Sequence, residues 1–144
     1  MSTTETKPPI TCHVLDTTVG RPAPSIPVLL TLHNPPPSLS SNPLTFSAQT
    51  NSDGRVTSWT PTSPFSASSV ENVFQSEEGG EQMWSLRFDT EGYFGGRGVD
   101  TFFPEVEVRF RIKECQRGLR GGRREHFHVP VLLGPFGYTT YRGS

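Results

Sequence analysis

Apolar residues recur at every second position in several short stretches of this chain, and no stretch sustains a helical period. In residues 10–16 the alternation puts Ile10, Cys12 and Val14 on one face and Thr11, His13 and Leu15 on the other. The turn-rich run 17–24 precedes a second predicted strand over 26–32. Residues 45–51 and 55–60 flank Asp53-Gly54, a dipeptide suited to a tight hairpin. Residues 61–69 and 75–80 read as loops, with at most one helical turn at 70–74 between them. A core strand follows at 83–89, with Trp84, Leu86 and Phe88 on one face, and the glycine-rich run 92–98 is not predicted to be helical. The clearest alternation is 106–112, where Val106, Val108, Phe110 and Ile112 face inward. The last strand, 126–133, turns Phe127, Val129, Val131 and Leu133 inward and His126, His128, Pro130 and Leu132 outward. Roughly six to eight short strands without an internal repeat predict a mainly β protein, an antiparallel β-sandwich. Leu15 beside His13, and Pro130 and Leu132 beside His128, make both outer faces partly apolar, as expected of a shared, covered interface.

Composition narrows the class. At 144 residues the chain fits one domain, expected over residues 9–144 behind a disordered tail at 1–8. A formal net charge of −1 gives no general attraction to nucleic acid or to an anionic membrane. Two cysteines and an N-terminus without an apolar leader predict reduced thiols and a cytoplasmic protein, and no apolar run is long enough to span a bilayer. The peroxisome stays open as a compartment, although the closing Arg-Gly-Ser is not an address of the Ser-Lys-Leu type.

The candidate chemistry centres on His126-x-His128. Two imidazoles on one strand face have metal-ligand spacing, but no third ligand accompanies them, so no metal is expected. Cys12 and His13 lie on opposite faces, which makes Cys12 a core residue rather than a nucleophile with its base. The basic segment 116–124 lacks interleaved aromatics and reads as a solvated loop rather than an RNA contact. Histidines that accept protons near neutrality, arginines with a planar fork, and a terminal serine hydroxyl combine best as a water-activating hydrolytic site.

Ile10-Thr11-Cys12-His13-Val14-Leu15-Asp16 with Gly20-Arg21-Pro22-Ala23, then Asp53-Gly54-Arg55, Phe102-Phe103-Pro104-Glu105-Val106, His128-Val129-Pro130 and the closing Tyr141-Arg142-Gly143-Ser144 closely resemble the 5-hydroxyisourate hydrolases, the transthyretin-like enzymes of purine catabolism. The resemblance runs from about residue 9 to the end. It implies a transthyretin-like sandwich of about seven or eight strands with at most one short helix. It further implies a homotetramer, a dimer of dimers, with active sites in the channel where the dimers meet. The implied catalytic residues are His13, Arg55 and His128, the implied substrate-binding residues Tyr141, Arg142, Gly143 and Ser144, with neither metal nor organic cofactor. The implied reaction opens the six-membered ring of 5-hydroxyisourate to 2-oxo-4-hydroxy-4-carboxy-5-ureidoimidazoline in urate degradation. A small-ligand carrier of the transthyretin type shares the fold but should lack these polar groups, and an interaction module would have no need of them. The chain departs from the pattern in its loops at 34–43, 61–80 and 116–124, in Gly95-Gly96, which weaken the short helix expected after Asp89, and in Gly134, where a serine is expected. His126 is left as a rim residue, and either His13 or His128 could be the base.

Overall fold

A computed structural model describes residues 7–63 and 68–144. Residues 1–6 of the expected tail, and 64–67 of the expected loop, lie outside the described residues. The elements in order are β1 (Ile10–Asp16), β2 (Arg21–Pro22), β3 (Pro27–Leu32), β4 (Leu44–Gln49), β5 (Arg55–Val56), β6 (Thr60–Pro61), α1 (Val70–Phe74), β7 (Gln82–Phe88), α2 (Thr90–Gly95), β8 (Val106–Ile112), a 3-10 turn at Glu114–Gln116, β9 (Phe127–Leu133) and β10 (Tyr138–Thr140). They form two sheets. One has the order β10-β9-β1-β2, with β5 also paired to β1, and the other has the order β6-β4-β3-β7-β8. The expected mainly β sandwich is therefore present.

The core lies between the sheets and follows the alternation. Ile10, Cys12 and Val14 of β1 and Phe127, Val129, Val131 and Leu133 of β9 meet Leu30, Trp84, Leu86, Phe88 and Ile112 of the other sheet, all of them buried. Val108 and Phe110, predicted inward, are only partly buried because β8 is an edge strand.

Four expectations need correction. The sandwich is not wholly antiparallel: β1 and β9 run parallel, in register from Ile10↔Phe127 to Asp16↔Leu133, while the other strand pairs are antiparallel. The predicted hairpin around Asp53-Gly54 is a change of sheet instead. β4 pairs with β3 and β6, whereas β5 crosses over to pair Cys12↔Val56 and His13↔Arg55 on β1. Gly54 has φ +72°, and a Cβ there would stand 2.4 Å from the Val14 carbonyl oxygen, so the turn can lie this close to β1 only as glycine. Two short helices are present where at most one was expected, the second in the run judged too glycine-rich. In α2 the Asp89 carboxylate accepts from the Gly92 N–H, and Tyr93 and Phe94 are buried; capping and burial outweigh a poor intrinsic propensity.

The segment 116–124 is also not solvated throughout. Arg117 is fully buried, and its guanidinium donates to the carbonyls of Phe74, Ser76, Gly79 and Gly80. Arg124 pairs with Glu71 through both terminal nitrogens. The two long insertions thus bind each other and hold the chain entering β9.

At the far end of β1 the buried Asp16 carboxylate accepts from the Thr18 N–H and hydroxyl and from the Tyr93 hydroxyl, joining the sheet to α2. Burial alone would raise its pKa; the Thr18 and Tyr93 hydrogen bonds and the Arg97 charge outweigh it and hold the carboxyl below its ordinary value. Asp16→Ala should cost about 2–4 kcal/mol in denaturant unfolding, since it orphans a buried tyrosine hydroxyl. Because the folded pKa is depressed, the wild-type contribution should be complete above about pH 4 and lost as the pH falls further, and the variant should lack that acid dependence.

Candidate active site

Ladder geometry puts the sequence-predicted histidines and arginine on one face. Thr11, His13 and Leu15 stand on the outer side of β1, opposite His128, Pro130 and Leu132 of β9 respectively in the register. Arg55 faces His13 across the ladder from the other side of β1. The ring centroids of His13 and His128 are 6.4 Å apart, as are those of His126 and His128. Among the described residues no cluster of three or more His, Cys, Asp or Glu side chains could hold a metal ion.

The electrostatics favour neutral rings. Burial first, then the Arg55 charge, lowers the pKa of His13, although the Asp53 carbonyl and carboxylate oppose the shift. Burial is also the first cause at His128, followed by Arg55, His126, His13 and Lys7. Each ring would have to accept a proton beside a cation, so each stays available as a base at a lower pH than a free histidine. Cys12 behaves in the opposite way. Burial pushes its thiol up to about 12, and it is inert as a nucleophile.

The tail is tied to this face at one point. The Gly143 N–H donates to the His128 carbonyl over 2.8 Å, and a Cβ on Gly143 would stand 2.8 Å from His128 Cδ2 and 2.9 Å from Pro130 Cγ. Only glycine lets the backbone lie against the imidazole. Ser144 lines a depression with Lys7, Arg124, Glu125 and His126. Tyr141 and Arg142 line a cleft of about 260 Å³ between β8 and β9 whose walls also include Val108, Phe110, Phe127 and His128. Arg142 pairs with Glu125 over 2.8 Å and lies 4.6 Å above the Phe127 ring. Within one chain, then, His13, Arg55, His128 and Gly143 come together, Ser144 sits beside His126, and Tyr141 and Arg142 share a cleft with His128.

The HIUase/Transthyretin family model matches residues 10–143. The chain belongs to that family. A probable 5-hydroxyisourate hydrolase of Schizosaccharomyces pombe is 38% identical over 137 residues, covering 95% of this chain and 92% of that protein. The solved structure of Klebsiella pneumoniae 5-hydroxyisourate hydrolase superposes with a TM-score of 0.60 at 27% identity, covering 94% of this chain and 92% of the other. Sea bream transthyretin in complex with thyroxine superposes at 0.65 with 21% identity over 94% of each chain, a likeness of fold alone. In this family member, sequence reading gave no role to Thr11. Its hydroxyl lies 2.9 Å from His126 Nε2 and 2.8 Å from His128 Nδ1. The signal was present in the parity of β1, which sets Thr11 on the same face as His13.

Gly143→Ala should displace the tail, shift the His128 imidazole resonances and destabilise the fold by about 1–3 kcal/mol. Gly137→Ala is the control, because an added Cβ there meets nothing within 4 Å and should leave resonances and stability unchanged.

Proposed function

We propose that this protein is a 5-hydroxyisourate hydrolase acting in urate degradation, with His13, Arg55 and His128 as its catalytic residues. The observation that carries the reading is the placement of two histidines held neutral beside an arginine on one rigid sheet face, in a chain whose relatives bear that name. A neutral histidine takes a proton from water as the water oxygen bonds to the ring carbonyl carbon of the substrate. The Arg55 guanidinium stabilises the oxyanion that forms. As the adduct collapses, the ring C–N bond breaks, the departing nitrogen takes the proton from the imidazolium, and the carboxylic acid formed at the former carbonyl carbon releases its remaining proton to solvent. No organic or metal cofactor enters this scheme. Gly143 holds the tail against His128, and Ser144, with Tyr141 and Arg142, completes the substrate pocket on assembly. A carrier of apolar ligands would have no use for this cationic, proton-accepting face.

Assembly is part of the proposal. Leu132 is 38% exposed on the face that carries the histidines, and Leu15 beside it is only partly covered. Phe136 is 71% exposed at the end of β9. These apolar surfaces support a homotetramer, a dimer of dimers that closes over the histidines and shields the reacting oxyanion from water. Sedimentation at micromolar concentration should give a tetramer, and a fully active monomer would contradict the closed site. Among the described residues no helix is long and apolar enough to cross a membrane. A cytoplasmic location remains the proposed default.

Freshly generated 5-hydroxyisourate should decay faster with wild-type protein than alone, followed by absorbance. His13→Ala, His128→Ala and Arg55→Ala should each lower kcat by about 100- to 1,000-fold. A wild-type rate equal to the spontaneous background would sink the hydrolase reading. On acidification, activity should persist below about pH 6.5, because both histidine pKa values are lowered, and should then fall as the base becomes protonated. A profile that is flat through that acid limb would remove histidine as the base.

A further inference from the structure

We infer that Asn51 is a positioning residue for Arg55, standing in for a missing strand partner and so setting where the guanidinium points. The inference deepens the hydrolase reading and rests on it only for its effect on turnover. β5 is two residues long, and its pairing is with β1. The turn before it is fixed to β1 through Gly54, whose carbonyl accepts from the Val14 N–H over 2.8 Å. Arg55 itself is bonded on the other side. Its N–H donates to Asn51 Oδ1 over 3.0 Å, and its carbonyl accepts from the Asn51 N–H over 2.9 Å. Asn51 thus supplies one acceptor and one donor, as a residue of a neighbouring strand does, with the side-chain amide in place of the main-chain carbonyl. A main-chain N–H can only donate, so the amide oxygen faces it and the direction of each bond is fixed. Because the N–H and C=O of Arg55 both go to Asn51, His13↔Arg55 is the kind of antiparallel pair without mutual hydrogen bonds, in which the two side chains stand closest.

Asn51 is anchored in turn. Its carbonyl accepts from the Gly54 N–H over 2.9 Å, and its Oδ1 accepts from the Asp53 N–H over 2.9 Å as well. The N–H groups of residues 53, 54 and 55 therefore all end on this one residue. Behind it, the buried Thr50 is bonded through its main chain to Ser25 and Ile26, while its hydroxyl accepts from the Ile26 N–H and donates to the Ala23 carbonyl. The path from the core to the guanidinium runs through Thr50, Asn51 and Arg55. Asparagine provides its acceptor without a charge, and among the described residues Arg55 forms no salt bridge, which leaves the guanidinium free for an anion.

Asn51 is exposed, so its substitution leaves the core intact. The main test is NMR, which needs no substrate and stands even if the hydrolase assay fails. Asn51→Ala should speed amide hydrogen exchange at Asp53 and Arg55 about 10-fold or more, while Asn51→Asp, which keeps both acceptor bonds, should retain the protection. The second readout is the titration of His128. Its charged neighbours are Arg55, His126, His13 and Lys7, of which Arg55 alone belongs to this turn. Asp53 opposes Arg55 at His13, which makes His128 the cleaner reporter. Asn51→Ala should raise the His128 pKa toward that of a free histidine, by part of the rise that Arg55→Ala gives. In an Arg55→Ala background Asn51→Ala should raise it no further, whereas a general loosening of the sheet would shift it in both backgrounds. In turnover, Asn51→Ala should lower kcat about 10-fold, less than removal of Arg55 itself, with little change in KM. Exchange unaltered in Asn51→Ala, or a His128 pKa that is unmoved by it or moved equally with and without Arg55, would overturn the inference.

Discussion

The parallel pairing of β1 with β9 is the constraint on which the rest of the molecule depends. Seven residues of each strand are in register, and their inward positions form one wall of the core. A slip of one residue would expose Ile10, Cys12 and Val14 and bury Thr11, His13 and Leu15, so core burial locks the register. The site inherits that rigidity. Thr11 is set directly opposite His128, while His13 lies two residues farther along the neighbouring strand. With strands about 4.8 Å apart and a rise of about 3.3 Å per residue, that diagonal brings two large rings within reach of each other. The observed 6.4 Å between ring centroids is what such a diagonal permits.

Once the rings are placed, charge determines their state. β1 offers its remaining edge to two short strands in succession, β5 beside His13 and β2 beside Leu15 and Asp16. The first of these brings in Arg55, and its cation acts with burial to disfavour protonation of both His13 and His128. Burial has the reverse consequence one position away, where it keeps the Cys12 thiol protonated. A base and an inert thiol are thus adjacent in sequence because they sit on opposite faces of one strand.

The long insertions act as supports for this face. Arg117 gives four hydrogen bonds to carbonyls at and beyond the C-terminus of α1, where helix carbonyls lack partners within the helix. With the Arg124–Glu71 pair, it ties the approach to β9 onto α1 and so fixes where His126 enters the sheet. A segment that reads as basic and flexible by composition is partly a buried clamp, because a guanidinium surrounded by carbonyl oxygens can be buried without a carboxylate partner.

Alternation alone determined which residues face inward on the long strands, and hence that His13 and His128 lie on outer faces. Burial of one sheet face imposes a period of two, and that period is written in the residue types. The resemblance of its motifs to a known family marked His13, Arg55, His128 and the terminal tetrapeptide as candidates. The partners of each strand were decided only in three dimensions. Asp53-Gly54 has the local signature of a hairpin, yet β5 leaves β4 for the other sheet, since tight-turn chemistry specifies a reversal but not the strand it returns to. α2 formed against its glycine content because a cap and two buried aromatics, contributed by distant packing, exceed local propensity. Thr11 carried no motif. Its hydrogen bonds to His126 and His128 span more than a hundred residues of chain, and only the β1–β9 register brings these residues together.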